Sequence, residues 1–300
     1  MGVGVNVGTR NRARRLVDNP WLFLGPGLLF LVVINIFPLV YSLWISLHVD
    51  ELTNASIDHF TGIENYISDF RDAQFLYSLM TSAILTVATL VIQFGVGFAI
   101  ALALYRRDIH YRKLFTSILI LPLAVSPLVV SILWRFMLDP SNGVVPYLFA
   151  KAGVSLGDPL TSTFGAYIVL IIVYSWEWTP FVTLFLYSAM VGLDIGPFEA
   201  ATIDGAGPVQ SVRYVMIPML RQIMMILGLL EAVTAFRLFT VVDVVTSGGP
   251  GTSTQSASYL IWQNALDFFN MGTATSMSWI VIIIMSLVAL VMIKVWRFEV

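Results

Sequence analysis

The 300-residue chain has no cysteine, three histidines and only 11% Asp, Glu, Lys and Arg, where a soluble domain carries roughly 25%. Without cysteine there is no disulfide framework, thiolate zinc site, cysteine nucleophile or iron–sulfur cluster. His48, His59 and His110 are scattered and show no metal-ligand spacing. Lys+Arg 16 against Asp+Glu 18 gives a net charge of −2, so no basic field exists to hold a nucleic acid. A G-x-x-x-x-G-K-[ST] phosphate loop is missing, and with it a nucleotide site of that kind. The run Gly95-Val96-Gly97-Phe98-Ala99-Ile100 begins like a dinucleotide fingerprint, but it lacks the third glycine and lies inside an apolar stretch, which reads as helix packing. No Ser/His/Asp set can be assembled, and no acidic pair has metal-binding spacing near a membrane surface.

What the chain does have is apolar length. Hydrophobic residues make up 58% of it, and a bilayer core of about 30 Å needs about 20 of them in a helix rising 1.5 Å per residue. Six runs qualify, at 22–47, 76–105, 113–137, 163–191, 216–246 and 273–296. None alternates as an outer-membrane strand does, so the fold class is an all-α membrane bundle of six transmembrane helices. The first run is too long for a signal-peptide core and is read as a retained span. Gly97 with Ala101, and Gly228 with Ala232, are small-xxx-small pairs suited to close helix approach.

Orientation follows from the cations. Arg10, Arg12, Arg14, Arg15, Arg106, Arg107, Arg112, Lys113, Arg213, Arg221, Lys294 and Arg297 fall at one set of span ends, and only Arg71 and Lys151 at the other. Both termini are therefore expected in the cytoplasm. The organisation predicted is a basic N-terminus (1–20), a first span (21–47), an outer loop (48–75) rich in Asp and Glu, and a five-helix core (76–298) with a cytoplasmic loop at 194–218.

That loop carries the sharpest local signals. Pro197 is preset for a first helical position, Glu199 falls where the helix dipole favours an anion, and Gly205 can take a left-handed stop, so a helix is expected over about 197–204. Gly207-Pro208 starts a second helix running toward Pro218, which is expected to bend or interrupt it. Ala200 and Ala201 give the first helix a flat face suited to a partner's groove; a well-capped connector without a partner is the plainer alternative.

Glu199-Ala200-Ala201, Gly205 and Val215-Met216-Ile217-Pro218 resemble the E-A-A-x3-G-x9-I-x-L-P loop of permease subunits in bacterial ABC importers, with the fixed positions at matching spacing. Val215 and Ile217 replace the pattern's Ile and Leu. Ile203-Asp204-Gly205-Ala206 is similar to the form in maltose-type carbohydrate importers, and Thr246-Ser247-Gly248-Gly249-Pro250-Gly251 resembles their T-x-G-G-P-G segment. The resemblance implies a type I importer permease in the bacterial inner membrane, half of a translocation path that works by alternating access. It also implies a second homologous permease, two ATP-hydrolysing subunits, an extracytoplasmic binding protein and a sugar or polyol substrate. Coupling would pass through Glu199, Ala200, Ala201, Asp204, Gly205 and Gly207. This chain would carry no cofactor, and ATP with Mg would sit on the partner ATPases. It would not itself be an enzyme.

Five charges, Arg135, Glu177, Glu231, Arg237 and Asp243, lie within or at the edge of apolar runs, where a charge costs on the order of 2.5–3.5 kcal/mol. Arg135 and Asp243 are near outer ends and can snorkel. Glu177 and Arg237 come out at comparable depth by residue count, and are expected to form a pair facing a common cavity or a purely structural ion pair. Tyr174, Trp176, Trp178, Pro180, Phe181 and Phe236 surround them, and aromatic faces beside hydrogen-bonding groups suit a sugar ring. The resemblance adds that Trp178, Phe181, Thr234 and Leu238 match sugar-contacting positions of the maltose type, giving a substrate path of Glu177, Trp178, Phe181, Thr234, Leu238 and Arg237. The rivals are a membrane-embedded transferase acting on a lipid-linked sugar, which needs an acidic metal cluster, and a stand-alone secondary transporter, which an internal repeat would favour.

Overall fold

The computed structural model describes residues 20–49, 59–105, 111–154 and 157–297. Arg10, Arg12, Arg14 and Arg15, the loop acids Asp50, Glu51 and Asp58, and Arg106, Arg107 and His110 lie outside the described residues. The regular secondary structure described is helical apart from a two-residue antiparallel pair, β1 (His48–Val49) and β2 (His59–Phe60).

The first span is α1 (Pro20–Leu31) and α2 (Phe37–Ser46), joined by a π turn at Val32–Ile36. The turn closes with the Phe37 N–H on the Val32 carbonyl, just before Pro38. Widening the helix there moves the preceding carbonyls away from the proline ring, which clashes with the carbonyl four residues back in a regular α-helix. A short helix, α3 (Glu64–Arg71), leads into the 33-residue α4 (Ala73–Tyr105).

The third span departs from the single helix expected over 113–137. It is α5 (Arg112–Ile120), a 3₁₀ turn at Pro122–Ala124 and α6 (Pro127–Met137), bent by 95°. Pro122 and Pro127 cause the break: each lacks a donor, and Ser126, preceding Pro127, is driven to an extended ψ of 138°. An outer helix, α7 (Val144–Lys151), precedes the fourth span, α8 (Thr163–Val191), which Ser162 caps by accepting the Gly165 N–H.

Next come α9 (Gly196–Ile203) and α10 (Pro208–Ser211), the latter continuing through a π turn at Val212–Met216 into α11 (Ile217–Phe236). Pro218 therefore does not interrupt the helix. The Ile217 N–H reaches the Val212 carbonyl, repeating the device at Pro38, and Pro208–Phe236 runs on as one span. At the other end this span is shorter than the predicted 216–246. It stops at Phe236, and a π-helical segment (Val242–Thr246), α12 (Ala257–Trp262) and the last span, α13 (Met271–Arg297), follow. Carbonyls freed by the stop are taken from elsewhere in the fold: Ser256 Oγ donates to Leu238 O at 2.7 Å and Arg135 Nη1 to Val244 O at 2.6 Å.

The core centres on α4 and α8, which share the most extensive interface. Gly97 lets them close up, since a Cβ there would stand 3.2 Å from Val182 Cγ1 and 3.4 Å from the Thr183 backbone nitrogen. Of the first span's described side chains, Ser46 is the one that is buried, so its apolar surface is left outside the subunit. Its outer end is held by α3: Tyr66 shares a 2.6 Å hydrogen bond with Ser46, and Asn65 Nδ2 donates to the carbonyls of Ser46 and His48.

From α3, Asp69 is buried against α13, where it accepts a 2.5 Å hydrogen bond from Ser276 Oγ. Burial pushes its carboxyl up to about 6, the Ser276 bond pulls it down, and Asp72 raises it further. A carboxyl whose folded value exceeds its ordinary one favours the docked state while protonated, so docking weakens as pH rises from about 4 through 6. Protection of the amides over 64–71, measured as exchange relative to the intrinsic rate at each pH, should accordingly be greater at pH 5 than at pH 7.5. In Asp69→Asn, which stays neutral and still accepts from Ser276, the difference should vanish; persistence of the pH step in that variant excludes Asp69 as its origin.

Candidate functional site: an exposed loop corner and a membrane-depth face

The loop is built as its local signals require. Asp194 Oδ1 accepts the Gly196 N–H, Pro197 opens α9 and Glu199 lies in its first turn. The exit is a Schellman motif: the Ala206 N–H bonds the Ala201 carbonyl at 2.9 Å and the Gly205 N–H the Thr202 carbonyl at 3.1 Å. Gly205 sits at φ +83° with nothing within 4 Å of where a Cβ would be, so its requirement is conformational and not steric. Gly207 then donates its N–H to Gln210 Oε1 at 2.8 Å, fixing the start of α10.

Phe198 is the anchor, packed with Leu193, Val212, Met216 and Leu220 beneath the bundle. Most of the rest of the corner faces out. Glu199, Ala200, Asp204 and Gly205 are exposed, Ala201 and Gly207 half-buried, and Ile203 and Val209 are 87% and 79% exposed. Apolar side chains held clear of their own bundle in this way make an exposed apolar surface at the corner.

At membrane depth α8 carries an aromatic ladder. Ring centroids step from Tyr174 to Trp178 at 6.1 Å, to Phe181 at 6.0 Å and to Phe185 at 4.6 Å, and exposure grows down the ladder from buried Tyr174 to exposed Phe185. Thr234 and Arg237 are exposed on α11 and at its C-terminal cap. Leu238, by contrast, belongs to the core with Val241 and Tyr259, because the chain turns inward once α11 has ended.

The expected Glu177–Arg237 pair is not formed. Glu177 is 2% exposed and its Oε2 has no hydrogen-bond partner among the described residues, whereas Arg237 points into a groove beside α12 and α13. The carboxyl level with Glu177 is instead Glu231, also buried and with Oε2 unpartnered. Gly97 abuts Val182 and Thr183, and Gly228 lies beside Phe94. Counting outward from these contacts at about 1.5 Å per residue puts Glu177 and Glu231 within a turn of each other in depth. Among the described residues no group of three His, Cys, Asp or Glu side chains forms a metal site, so the acidic cluster a lipid-linked-sugar transferase needs is not found in them.

Residues 94–295 match the family described as "Binding-protein-dependent transport system inner membrane component". The chain belongs to that family. It is a permease subunit of an ABC importer, a multi-pass protein of the inner membrane and not an enzyme. It is 28% identical to the trehalose/maltose transport system permease protein MalF of Thermococcus litoralis over 282 residues, covering 93% of this chain and 94% of that one. It is equally 28% identical to the sn-glycerol-3-phosphate transport system permease protein UgpA of Escherichia coli O157:H7, over 286 residues and 93% of each. Its fold is that of a chain in the crystal structure of a bacterial alginate ABC transporter in complex with an alginate pentasaccharide-bound periplasmic protein, with a TM-score of 0.78, 19% identity, and 97% of this chain and 95% of that one covered.

Proposed function

We propose that this permease moves a sugar, an oligosaccharide or a phosphorylated or acidic relative of one, along the face bearing the aromatic ladder. It is driven through α9 by an ATPase that binds ATP and Mg on separate chains. The observation that carries the coupling half is the rigid corner at 194–211, with Ile203 and Val209 exposed beyond it and Phe198 rooted in the core. A rigid lever anchored in the bundle transmits motion; a loose connector absorbs it. The same helix runs on without interruption from Pro208 to Phe236, joining the docking corner to the membrane face that carries Thr234.

The substrate half rests on the ladder from Tyr174 to Phe185, whose rings offer apolar faces to sugar C–H groups, with the Thr234 hydroxyl for a sugar oxygen. Alternating access then needs a second permease to close the other side of the path.

Cysteine introduced at Ala200 in this Cys-free chain tests the coupling half. In the assembled importer, labelled with a maleimide–benzophenone, it should photo-cross-link to an ATPase subunit, more readily without nucleotide than with a trapped ATP analogue, or the reverse. Cross-linking insensitive to nucleotide, or none, rules out α9 as the lever.

A further inference from the structure

Three charges lie at membrane depth on the helices that form this face, and the fold treats them differently. Glu177 and Glu231 are sealed inside the subunit, at 2% and 1% exposure. Arg237 is exposed and makes no hydrogen bond or ion pair among the described residues. Phe236, beside it, packs on Met277, Ile280 and Val281 of α13, a helix that begins at Met271. At about 1.5 Å per residue the guanidinium root therefore lies about 9–15 Å below the outer end of that helix. It opens into a groove of about 630 Å³ whose polar groups are Arg237, Ser258, Ser278 and Ser286. Along α8, α11, α12 and α13 down to Ser286, Arg237 is the one exposed full charge among the described residues.

We infer that the transported substrate carries an anionic group, a carboxylate or phosphate on a saccharide or polyol, and that Arg237 with the serine hydroxyls of this groove recognises it. The inference rests on the reading that the path follows this face. An unpaired guanidinium at this depth is held at a cost, and a neutral sugar offers it hydrogen bonds but no countercharge. A carboxylate or phosphate relieves it with two parallel charge-assisted N–H···O bonds. Thr234, exposed one turn back on α11, is placed to meet the sugar body while the anion sits at Arg237. Burial of both glutamates fits the same assignment, because ionised carboxylates on the open wall would repel such a substrate.

The test uses the complete importer, co-expressed from its neighbouring genes and reconstituted in proteoliposomes with ATP inside. The probes are sn-glycerol 3-phosphate and trigalacturonate as acids, and maltose and trehalose as neutral sugars. Uptake of an acidic probe should exceed that of the neutral sugars at least tenfold. Arg237→Gln should reduce the acidic uptake at least tenfold, and Arg237→Lys, which keeps the charge without the fork, should fall between. Should Arg237→Gln not assemble, Arg237→Lys decides: acidic uptake at the wild-type rate overturns the proposal. Uptake confined to neutral sugars also overturns it while leaving the saccharide-importer reading intact. Failure of the wild type to move any probe of either class removes that reading and the proposal together.

Discussion

Importer carrying Gly205→Val should hydrolyse ATP without responding to substrate-loaded binding protein, and transport should fall by one to two orders of magnitude. Gly205 holds φ +83° at the C′ position of a Schellman motif, where both the Gly205 and Ala206 N–H groups return to the last turn of α9. A β-branched residue is strained there by about 1–3 kcal/mol, and 1.4 kcal/mol is tenfold in an equilibrium, so the docking-competent corner becomes a minor population. The space around the missing Cβ is empty, which separates backbone strain from crowding. Gly205→Asn, whose side chain tolerates the left-handed region, should retain most of the activity. Glu199→Lys should act more weakly, since removing an anion from the first turn costs about 0.3–1 kcal/mol. Normal transport by Gly205→Val reduces the loop to a connector.

The legible parts of this molecule were those fixed by near neighbours in the chain. The corner at 194–211 is one: Pro197, Glu199, Gly205 and Pro208 each settle the backbone within a few residues, and α9 forms within one residue of its expected bounds. The spans were legible for a similar reason, because apolar length is a property of a single segment. The 95° break in the third span was written in Pro122 and Pro127, yet hydropathy alone passes over it. The end of α11 at Phe236 was hidden, because the groups that hold the freed carbonyls, Ser256 and Arg135, come from distant parts of the chain.

That hidden end explains the misplaced ion pair. Rise per residue gives depth, and Glu177 and Arg237 were brought to similar depth on that basis. It does not give azimuth, and Arg237 leaves from the helix cap toward α13 while Glu177 turns into the core. Glu231 shows the converse. It lies on the buried stripe of α11 with Leu220, Leu227 and Ala235, a 3–4 spacing visible in the sequence, but which helix that stripe faces is decided only by tertiary packing.

Trp178→Ala should raise the KM for transport about 5- to 150-fold with little loss of assembled complex. Its ring is the step between buried Tyr174 and the more open Phe181, so removing it interrupts the ladder where solvent first reaches it. Stacking of a ring on an aromatic side chain is worth about 1–3 kcal/mol where it has been measured with bases, and that sets the range. Half-burial argues against a large folding defect: Trp178 only packs against the margin of the core cluster that contains Tyr174. Trp176 is the control. It is 45% exposed on another face of α8, edge-on to Trp134 at 5.9 Å, and is not part of the ladder. Trp176→Ala should therefore leave KM near the wild-type value. Equal effects of the two substitutions mean that each acts through helix packing, and the reverse order moves the path to the Trp134 side of α8.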